Sequence, residues 1–410
     1  MALNRIGRVA LATSLSVAMG LGVTACSHDY TVGYVYMTAA SANPGLVNGY
    51  KVDYQAGTLV PLEDSPIPAG GKNPVALVVA PDGKSLYVVN RDDSTVVWFA
   101  IGTDGKLYPQ VTYDTTGSFP MAAAIDPAGK FLYVAYTYQK GYTTALPGPG
   151  GITVFPIDTS GNQTTVKCSG GTPSPGTAGC LGASSTVNAG RNPVGISASN
   201  TNVYVIDQDS ATTLNLLGYA AASGSLTPLQ GVTINAANVP STGFAVGTMP
   251  AAIIQNPALT RLYVTDQTGN QVIGYSLAAN GVPTQVGSAL TDGAPAGMTI
   301  EASGKYLYVA NSAAGTIGGY TFGSNGQPIV STVAKSVVSG TGTNCVTTIG
   351  APSSANPTHA VYLYASNSLS NNVTGEQLNP ADGSLKQIQG TPFGGSALPT
   401  CIVSAPSFPR

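Results

Sequence analysis

A tyrosine between two apolar residues recurs seven times along the chain of 410 residues. The repeated residues are Tyr36, Tyr87, Tyr133, Tyr204, Tyr263, Tyr308 and Tyr364. Successive copies lie 51, 46, 71, 59, 45 and 56 residues apart, in segments that read as strands. Periods of about 40–50 residues with strand-like content are typical of β-propeller blades. The repeat therefore predicts seven blades, with the tyrosines packed inside them.

Turn glycines form a second marker with the same count. One such glycine precedes the expected closing strand of each repeat: Gly57, Gly105, Gly161, Gly224, Gly281, Gly326 and Gly383. Several follow Asp or Asn, and these pairs permit the positive φ angles that tight hairpins need. No helical periodicity follows the N-terminal segment, so the sequence predicts an all-β, seven-bladed β-propeller over residues 33–410.

An apolar strand bounded by prolines seven residues apart marks the expected innermost strand of a blade. Pro74–Pro81, Pro120–Pro127 and Pro250–Pro257 keep both prolines. The last copy, Pro399–Pro406, follows the last tyrosine strand, whereas no copy precedes the first tyrosine strand. We therefore expect the C-terminal strand to pair with the N-terminal blade, which closes the ring and leaves no open edge.

Four cysteines follow the N-terminal segment, and three pairings of them into two disulfides are possible. Cys168 and Cys180 bracket an eleven-residue loop and are natural partners. Cys345 and Cys401 lie near the starts of innermost strands in the seventh and first blades, which are neighbours in a closed ring. We expect the bridges Cys168–Cys180 and Cys345–Cys401. Because no C-x-x-C pair exists and only two histidines are present, we expect no metal site.

The N-terminus reads as a secretory signal. Arg5 and Arg8 precede the apolar stretch Val9–Val23, which is too short to span a bilayer comfortably. The sequence Val-Thr-Ala-Cys over 23–26 resembles a bacterial lipobox, which implies cleavage before Cys26 and lipidation of that residue. An ordinary signal peptide is the alternative.

These features predict three segments: a lipoprotein signal peptide (1–25), a lipid-anchored tether (26–32) and the propeller (33–410). Ser27 after the cysteine resembles an outer-membrane sorting signal. The expected location is therefore the bacterial cell envelope, as an outer-membrane lipoprotein that contacts the membrane through Cys26. Periplasmic and outward-facing orientations both stay open.

Charge excludes one class of partner. Only 8% of the residues are charged, and removal of residues 1–25 would leave 14 basic against 18 acidic side chains. No basic face that could hold a phosphate backbone can be built from this balance, so we expect no nucleic-acid partner.

The repeat also carries a family resemblance. Residues 73–90 read NPVALVVAPDGKSLYVVN, and residues 125–134 (IDPAGKFLYV) and 301–309 (EASGKYLYV) repeat its turn and strand. The pattern resembles the YVTN-type repeat and the seven-bladed lactonase family that includes 6-phosphogluconolactonase, over essentially residues 33–410. The resemblance implies lactone hydrolysis at the channel mouth. It also implies His, Arg and acidic groups there, with His near the starts of the innermost strands.

The expected strand starts depart from that pattern. They are Asn73, Phe119, Asn192, Met249, Ala294, Asn344 and Leu398, with no histidine. His28 belongs to the tether, and His359 lies in a turn at the opposite end of the channel. Asp207, Asp209 and Asp266 lie at the ends of tyrosine strands on the mouth side, and Asp207 and Asp266 are the weak candidates for activating water. Capping of those strands by Asx turns is the alternative.

Cations and aromatic residues supply ligand-binding candidates. Lys72, Arg91 and Arg191 are expected near the mouth from three blades, where they could hold a phosphate or carboxylate. Scattered surface charge is the alternative. Tyr136 could stack on a sugar ring, with interblade packing as the alternative. The long span Gln139–Gly190 is expected to lengthen two loops that shape a rim or merely decorate the surface.

These observations favour an envelope-anchored propeller that binds a small-molecule or protein ligand at the channel mouth without catalysis and without a cofactor. The first alternative is a 6-phosphogluconolactonase-like lactone hydrolase. In that reading Asp207 or Asp266 activates water, and Arg91 or Arg191 steadies the anion. The second alternative is a structural surface or adhesion scaffold.

Overall fold

A computed structural model describes residues 31–146, 148–163, 166–169, 178–234, 239–350 and 360–407. Cys26, His28 and His359 lie outside these residues, as do the predicted signal peptide and nearly all of the tether. Within them, no helix is long and apolar enough to cross a membrane.

The described strands form seven antiparallel sheets of four or five strands, one for each predicted blade. The first blade begins with β1 (Thr31–Ala39), β2 (Leu46–Asp53), β3 (Leu59–Pro61) and β4 (Ile67–Pro68). The second contains β5 (Pro74–Val79), β6 (Ser85–Asn90), β7 (Thr95–Ile101) and β8 (Leu107–Asp114). The third contains β9 (Gly117–Ile125), β10 (Phe131–Gln139), β11 (Gly151–Pro156) and β12 (Ser185–Asn188).

The later blades follow the same order. The fourth contains β13 (Pro193–Ala198), β14 (Asn202–Asp207), β15 (Leu216–Ala222) and β16 (Ser225–Pro228). The fifth contains β17 (Pro250–Gln255), β18 (Arg261–Asp266), β19 (Gln271–Leu277) and β20 (Pro283–Leu290). The sixth contains β21 (Pro295–Ile300), β22 (Leu307–Asn311), β23 (Thr316–Phe322), β24 (Pro328–Val330) and β25 (Val337–Val338). The seventh contains β26 (Thr343–Ile349), β27 (Val361–Asn367), β28 (Asn372–Leu378), β29 (Leu385–Gln387) and β30 (Phe393–Gly394).

The last strand, β31 (Pro399–Pro406), pairs antiparallel with β1 and is the innermost strand of the first blade. Tyr36 lies opposite Val403 in this pairing, and Gly33 lies opposite Pro406. The two ends of the described chain therefore share one sheet. The predicted all-β, seven-bladed fold is confirmed.

The repeated tyrosines lie in the second strand of each blade and are buried, as predicted. Six of their hydroxyls donate to a backbone carbonyl in the turn between the third and fourth strands of the next blade, a bond that we call the interblade latch. The pairs are Tyr36–Gly105, Tyr87–Gly179, Tyr204–Gly281, Tyr263–Gly326, Tyr308–Gly383 and Tyr364–Gly57. Six of the seven blade junctions are thus fixed by a buried hydrogen bond as well as by apolar packing.

The third blade departs from the other six in its outer turn. Its connection between β11 and β12 is long and contains both the predicted turn glycine Gly161, whose φ angle is 74°, and Gly179, whose carbonyl accepts the hydroxyl of Tyr87. The described part of this connection begins beside the turn that follows β9, where the amide of Ile157 donates to the carbonyl of Lys130. The Cys168–Cys180 loop is therefore rooted at the end of the propeller opposite to the mouth. Among the described residues of the span 139–190, the loop after β10 and the residues that follow β12 lie at the mouth.

Both predicted disulfides are present. Cys168 and Cys180, with Cα atoms 5.5 Å apart, pack into the apolar cluster between the second and third blades. Cys345 and Cys401, with Cα atoms 5.0 Å apart, join β26 to β31. The second bridge therefore links the innermost strands of the two blades that meet where the ring closes.

Candidate active site

The central channel is lined by uncharged residues, both apolar and polar. Its cavity of about 270 Å³ is lined by innermost strands from all seven blades. Small residues such as Ala76, Ala122, Gly195 and Ala252 form much of its wall, and none of the described lining residues is charged. The wall offers no acid or base for catalysis. Polar chemistry must lie at an end of the channel, and we use "mouth" for the end at which the innermost strands begin.

Strained backbone surrounds this mouth. The residues before the strand prolines include Asn73, Phe119, Ala294 and Leu398, whose φ angles are 53°, 56°, 44° and 54°. Positive φ is uncommon for residues other than glycine and persists only where the surroundings enforce it. Hydrogen bonds supply such enforcement, since the amide of Arg91 donates to the carbonyl of Asn73 and that of Ser312 to Ala294, both over 3.0 Å.

Charge is distributed unevenly around the mouth. The positions compared lie within four residues of the start of an innermost strand or of the end of a tyrosine strand. In the second to fourth blades these positions carry Lys72, Arg91, Lys140 and Arg191. The same described positions of the other four blades carry no Lys or Arg. We call the mouth loops of the second, third and fourth blades the charged arc. Its position favours an off-centre ligand over one seated on the channel axis.

The second blade holds one corner of the charged arc. Arg91 Nε lies 2.8 Å from Asp92 Oδ1, and Lys72 Nζ lies 3.9 Å from Asp93 Oδ1. Partial burial disfavours the ionised form of Asp92, but hydrogen bonds from Arg91 and Asn73 outweigh it and lower the pKa of this carboxyl. Lys72 and Arg91 therefore belong to one blade, not to two as predicted, and both are paired.

The fourth blade holds the other corner. Arg191 Nη1 lies 3.5 Å from Asp209 Oδ1, which also accepts the amide of Ala211. Asp209 is buried, and among the described residues its Oδ2 has no hydrogen-bond partner. The side chain of Arg191 is 33% exposed. A buried carboxylate with a spare oxygen thus lies beside a cation that reaches the surface of the mouth.

Asp207 anchors the mouth loop. Its carboxylate accepts the amides of Arg191 and Asn192, and burial raises its pKa to about 6 despite these bonds. The equivalent residue at the end of the tyrosine strand is Asn90 in the second blade, Asn311 in the sixth and Asn367 in the seventh. Since asparagine fills this position in three blades, anchoring a mouth loop from this position does not require a carboxylate.

Asp266 fills the same position in the fifth blade. Its Oδ1 accepts the amide of Thr268, and its Oδ2 accepts the amide of Gly269 and the side-chain amide of Gln271. No cation is paired with it among the described residues. The Asx-turn alternative therefore describes Asp266 better than a catalytic role does.

Tyr136 is not available to a ligand. It is fully buried against Gly117 and Gly151 of its own blade, so it cannot stack on a sugar at the surface. Two residues further along β10, Tyr138 is half-buried, and its ring packs edge-on against Phe119 with centroids 5.8 Å apart. This pair gives the charged arc an aromatic surface between its two charged corners.

The sequence pointed to Arg191 and to three carboxylates, Asp207, Asp209 and Asp266, without showing which of them lies beside that arginine. A signal for the pair was present: a cation precedes Asn-Pro at Lys72 and Arg191, and in both blades an Asp lies two residues beyond the tyrosine strand, at Asp92 and Asp209. The sequence did not show that Asp209 is buried with one carboxylate oxygen lacking a hydrogen-bond partner among the described residues.

The family model described as "Lactonase, 7-bladed beta-propeller" matches residues 44–145 and 191–348, well over half of the chain. The chain belongs to this family. The match covers both charged corners and omits most of the insertion in the third blade. The predicted family resemblance is confirmed.

Individual relatives are more distant. A 6-phosphogluconolactonase of Xenorhabdus nematophila is 36% identical over 87 residues, which span 21% of this chain and 23% of that protein. A periplasmic gluconolactonase from Pseudomonas aeruginosa superposes with a TM-score of 0.66 at 16% identity, covering 92% of this chain and 99% of that one. A candidate 6-phosphogluconolactonase from Bacteroides fragilis gives a TM-score of 0.67 at 18% identity, with coverages of 92% and 99%. At such identities the structural likeness shows the fold alone.

Proposed function

We propose that this protein is a lactone hydrolase, a carboxylic ester hydrolase whose site is the charged arc of the mouth. The observation that carries the proposal is the pairing of Arg191 with the buried carboxylate of Asp209 in a lactonase-family propeller. Family membership gives the hydrolase more support than the non-catalytic binding module that the sequence alone favoured. A structural scaffold receives no specific support.

In this proposal Asp209 is the general base and Arg191 the oxyanion donor. A water held by Asp209 attacks the lactone carbonyl carbon, and its proton passes to the free carboxylate oxygen. The guanidinium of Arg191 stabilises the negative charge that develops on the carbonyl oxygen. The ring C–O bond then breaks, the proton on Asp209 returns to the leaving alkoxide, and the product is the open hydroxy acid. A shift of the partly exposed Arg191 side chain would admit the water.

Asp207 is a positioning residue in this scheme, because it holds the backbone of Arg191 in place. The aromatic surface of Phe119 and Tyr138 suits the apolar face of a sugar ring. Two relatives with gluconolactonase names add support for sugar lactones as the substrate class. The arginines of the charged arc would suit a substrate that also carries an acidic group.

The test is base consumption in a pH-stat at pH 7 with gluconolactone, an aliphatic lactone and a homoserine lactone. We expect wild-type hydrolysis above the buffer rate, and a loss of at least about 100-fold in kcat/KM for Asp209→Asn and Arg191→Gln. Asp266→Asn is the matched control and should retain activity within about threefold. An inactive but folded wild type would refute the proposal, as would equal losses in Asp209→Asn and Asp266→Asn.

We also propose that the mature chain is anchored in the bacterial envelope through a lipid on Cys26. The two disulfides support an oxidising compartment, and one related propeller is named as periplasmic. Metabolic labelling with an alkynyl fatty acid tests the anchor. Label is expected on the wild type and absent from Cys26→Ser, and equal labelling of both would contradict it.

A further inference from the structure

A groove of about 470 Å³ opens between the third and fourth blades, on the face opposite to the mouth. Its volume lies within the range of small-molecule sites, about 300–1,000 Å³. The polar and aromatic side chains that line it are Asp126, Lys130, Phe131, Tyr133, Asn200 and Ser223. Asp126 and Phe131 flank the turn between β9 and β10, so the groove is separated from the charged arc by the length of a blade.

The groove lies where the interblade latch is missing. Tyr133 is the one repeated tyrosine whose hydroxyl has no hydrogen bond to another described residue, although the side chain is only 1% exposed. In the fourth blade Ala222 pairs with Ser225, so only two residues form the turn that should meet Tyr133. In the seventh blade four residues, between Asn379 and Ser384, form the corresponding turn, which accepts the hydroxyl of Tyr308. The short hairpin leaves a gap, and Tyr133 lines it with a hydroxyl that bonds to no other described residue.

The other polar groups are held in place by the turns around the groove. Asp126 Oδ1 accepts the amides of Lys130 and Phe131 over 2.8 and 2.6 Å, which leaves Oδ2 without a partner among the described residues. Asn200 Oδ1 accepts the amide of Ala128 over 3.0 Å, so its amide nitrogen remains a donor. The groove thus offers fixed donors and acceptors together with the half-buried ring of Phe131.

We propose that this groove binds a single saccharide unit. A sugar ring presents an apolar face that packs on an aromatic ring, and hydroxyls that both donate and accept. Phe131 supplies the first kind of contact, whereas Asp126, Tyr133 and Asn200 supply the second. Asp126 and Lys130 contribute opposite charges to the lining, which favours a neutral ligand over an anion. A metal ion lacks ligands, since no group of three acidic, His or Cys side chains that could hold one exists in the described residues.

Saturation-transfer NMR on the full chain, with the methyl glycosides of glucose, galactose and N-acetylglucosamine, tests this site. We expect transfer to at least one of them, and an affinity five- to tenfold lower for Tyr133→Phe with an unchanged melting temperature. Tyr204→Phe is the matched control, because its hydroxyl forms the latch to Gly281. It should lower the melting temperature and leave the affinity unchanged. Phe131→Leu, which removes the aromatic face, should abolish transfer.

Three results would overturn the proposal. The first is the absence of transfer to all three glycosides. The second is transfer that survives both Tyr133→Phe and Phe131→Leu. The third is transfer abolished by Asp209→Asn, because it would place the sugar at the mouth and not in the groove.

Discussion

At the residue scale, two buried glutamates have opposite surroundings. Glu301 accepts the amides of Ser303 and Lys305 over 2.7 Å, so both of its carboxylate oxygens are hydrogen-bonded within the turn that follows its strand. Glu376, only 2% exposed, lies between Leu363 and Gln387 of the neighbouring strands, and its Oε2 has no partner among the described residues. Burial raises the pKa of Glu376 to about 7 from its usual 4.5.

This shift predicts a pH-dependent stability with a definite sign. Between about pH 4.5 and 7 the unfolded carboxyl of Glu376 loses its proton while the folded one keeps it, so stability falls as pH rises. Glu376→Gln removes the ionisation and should raise the free energy of unfolding at pH 8 by about 2 kcal/mol, with little change at pH 4. Urea unfolding at both pH values measures this. Glu301→Gln should instead destabilise at pH 8, and a stabilised Glu301→Gln with an unaffected Glu376→Gln would contradict the assignment.

Residue roles were the part of the site that the sequence predicted least well. Arg191 could be chosen because cations are scarce in this chain. The choice among Asp207, Asp209 and Asp266 depends on which carboxylate oxygens already accept backbone amides, and that is decided by loop geometry. For the same reason the sequence could not separate Tyr136 from Tyr138, two residues further along the strand: the first is buried, and the second lies at the mouth.

At the scale of elements, the Cys345–Cys401 bridge joins β26 to β31 with a sequence separation of 56 residues. The loop-entropy relation gives a stabilisation of about 4 kcal/mol for a loop of this length, against about 3 kcal/mol for the shorter Cys168–Cys180 loop. The Cys345–Cys401 bridge also lies where the two ends of the ring meet. Its removal should therefore open that seam as well as lower the overall stability.

The double variant Cys345→Ala/Cys401→Ala should lower the free energy of unfolding by about 4 kcal/mol and speed amide exchange in β26 and β31. The control, Cys168→Ala/Cys180→Ala, should cost about 3 kcal/mol and speed exchange beside the third blade instead. Urea unfolding and hydrogen–deuterium exchange by mass spectrometry measure both effects. Unchanged exchange in β31 of the first variant would show that the bridge does not hold the seam.

At the scale of the whole molecule, the fold could be predicted because its markers repeat. Tyrosine strands recur once per blade and strands bounded by two prolines recur in four blades. The C-terminal position of Pro399–Pro406 indicated which strand completes the first blade. The sequence did not show which glycine of the third blade would meet Tyr87, because its 157–184 connection replaces the short turn of the other blades and carries both Gly161 and Gly179. A repeat therefore predicts the strand order that the blades share, but not the long connection that distinguishes the third blade.

The closed ring implies that the propeller folds as one cooperative unit. Removal of residues 398–410 deletes β31, which strips the first blade of its innermost strand, exposes the inner edge of β1 and takes Ile402 and Ala405 out of the core. We expect this chain, with Cys345→Ala to avoid a free thiol, to lose its cooperative thermal transition.

A control that ends at Ser407 keeps β31 and should melt like the full chain. A synthetic peptide of residues 398–407 should restore the transition by adding the missing strand. If the truncated chain melted cooperatively at the full-length temperature, six complete blades and an incomplete first blade would suffice. The pairing of β1 with β31 would then contribute little to stability.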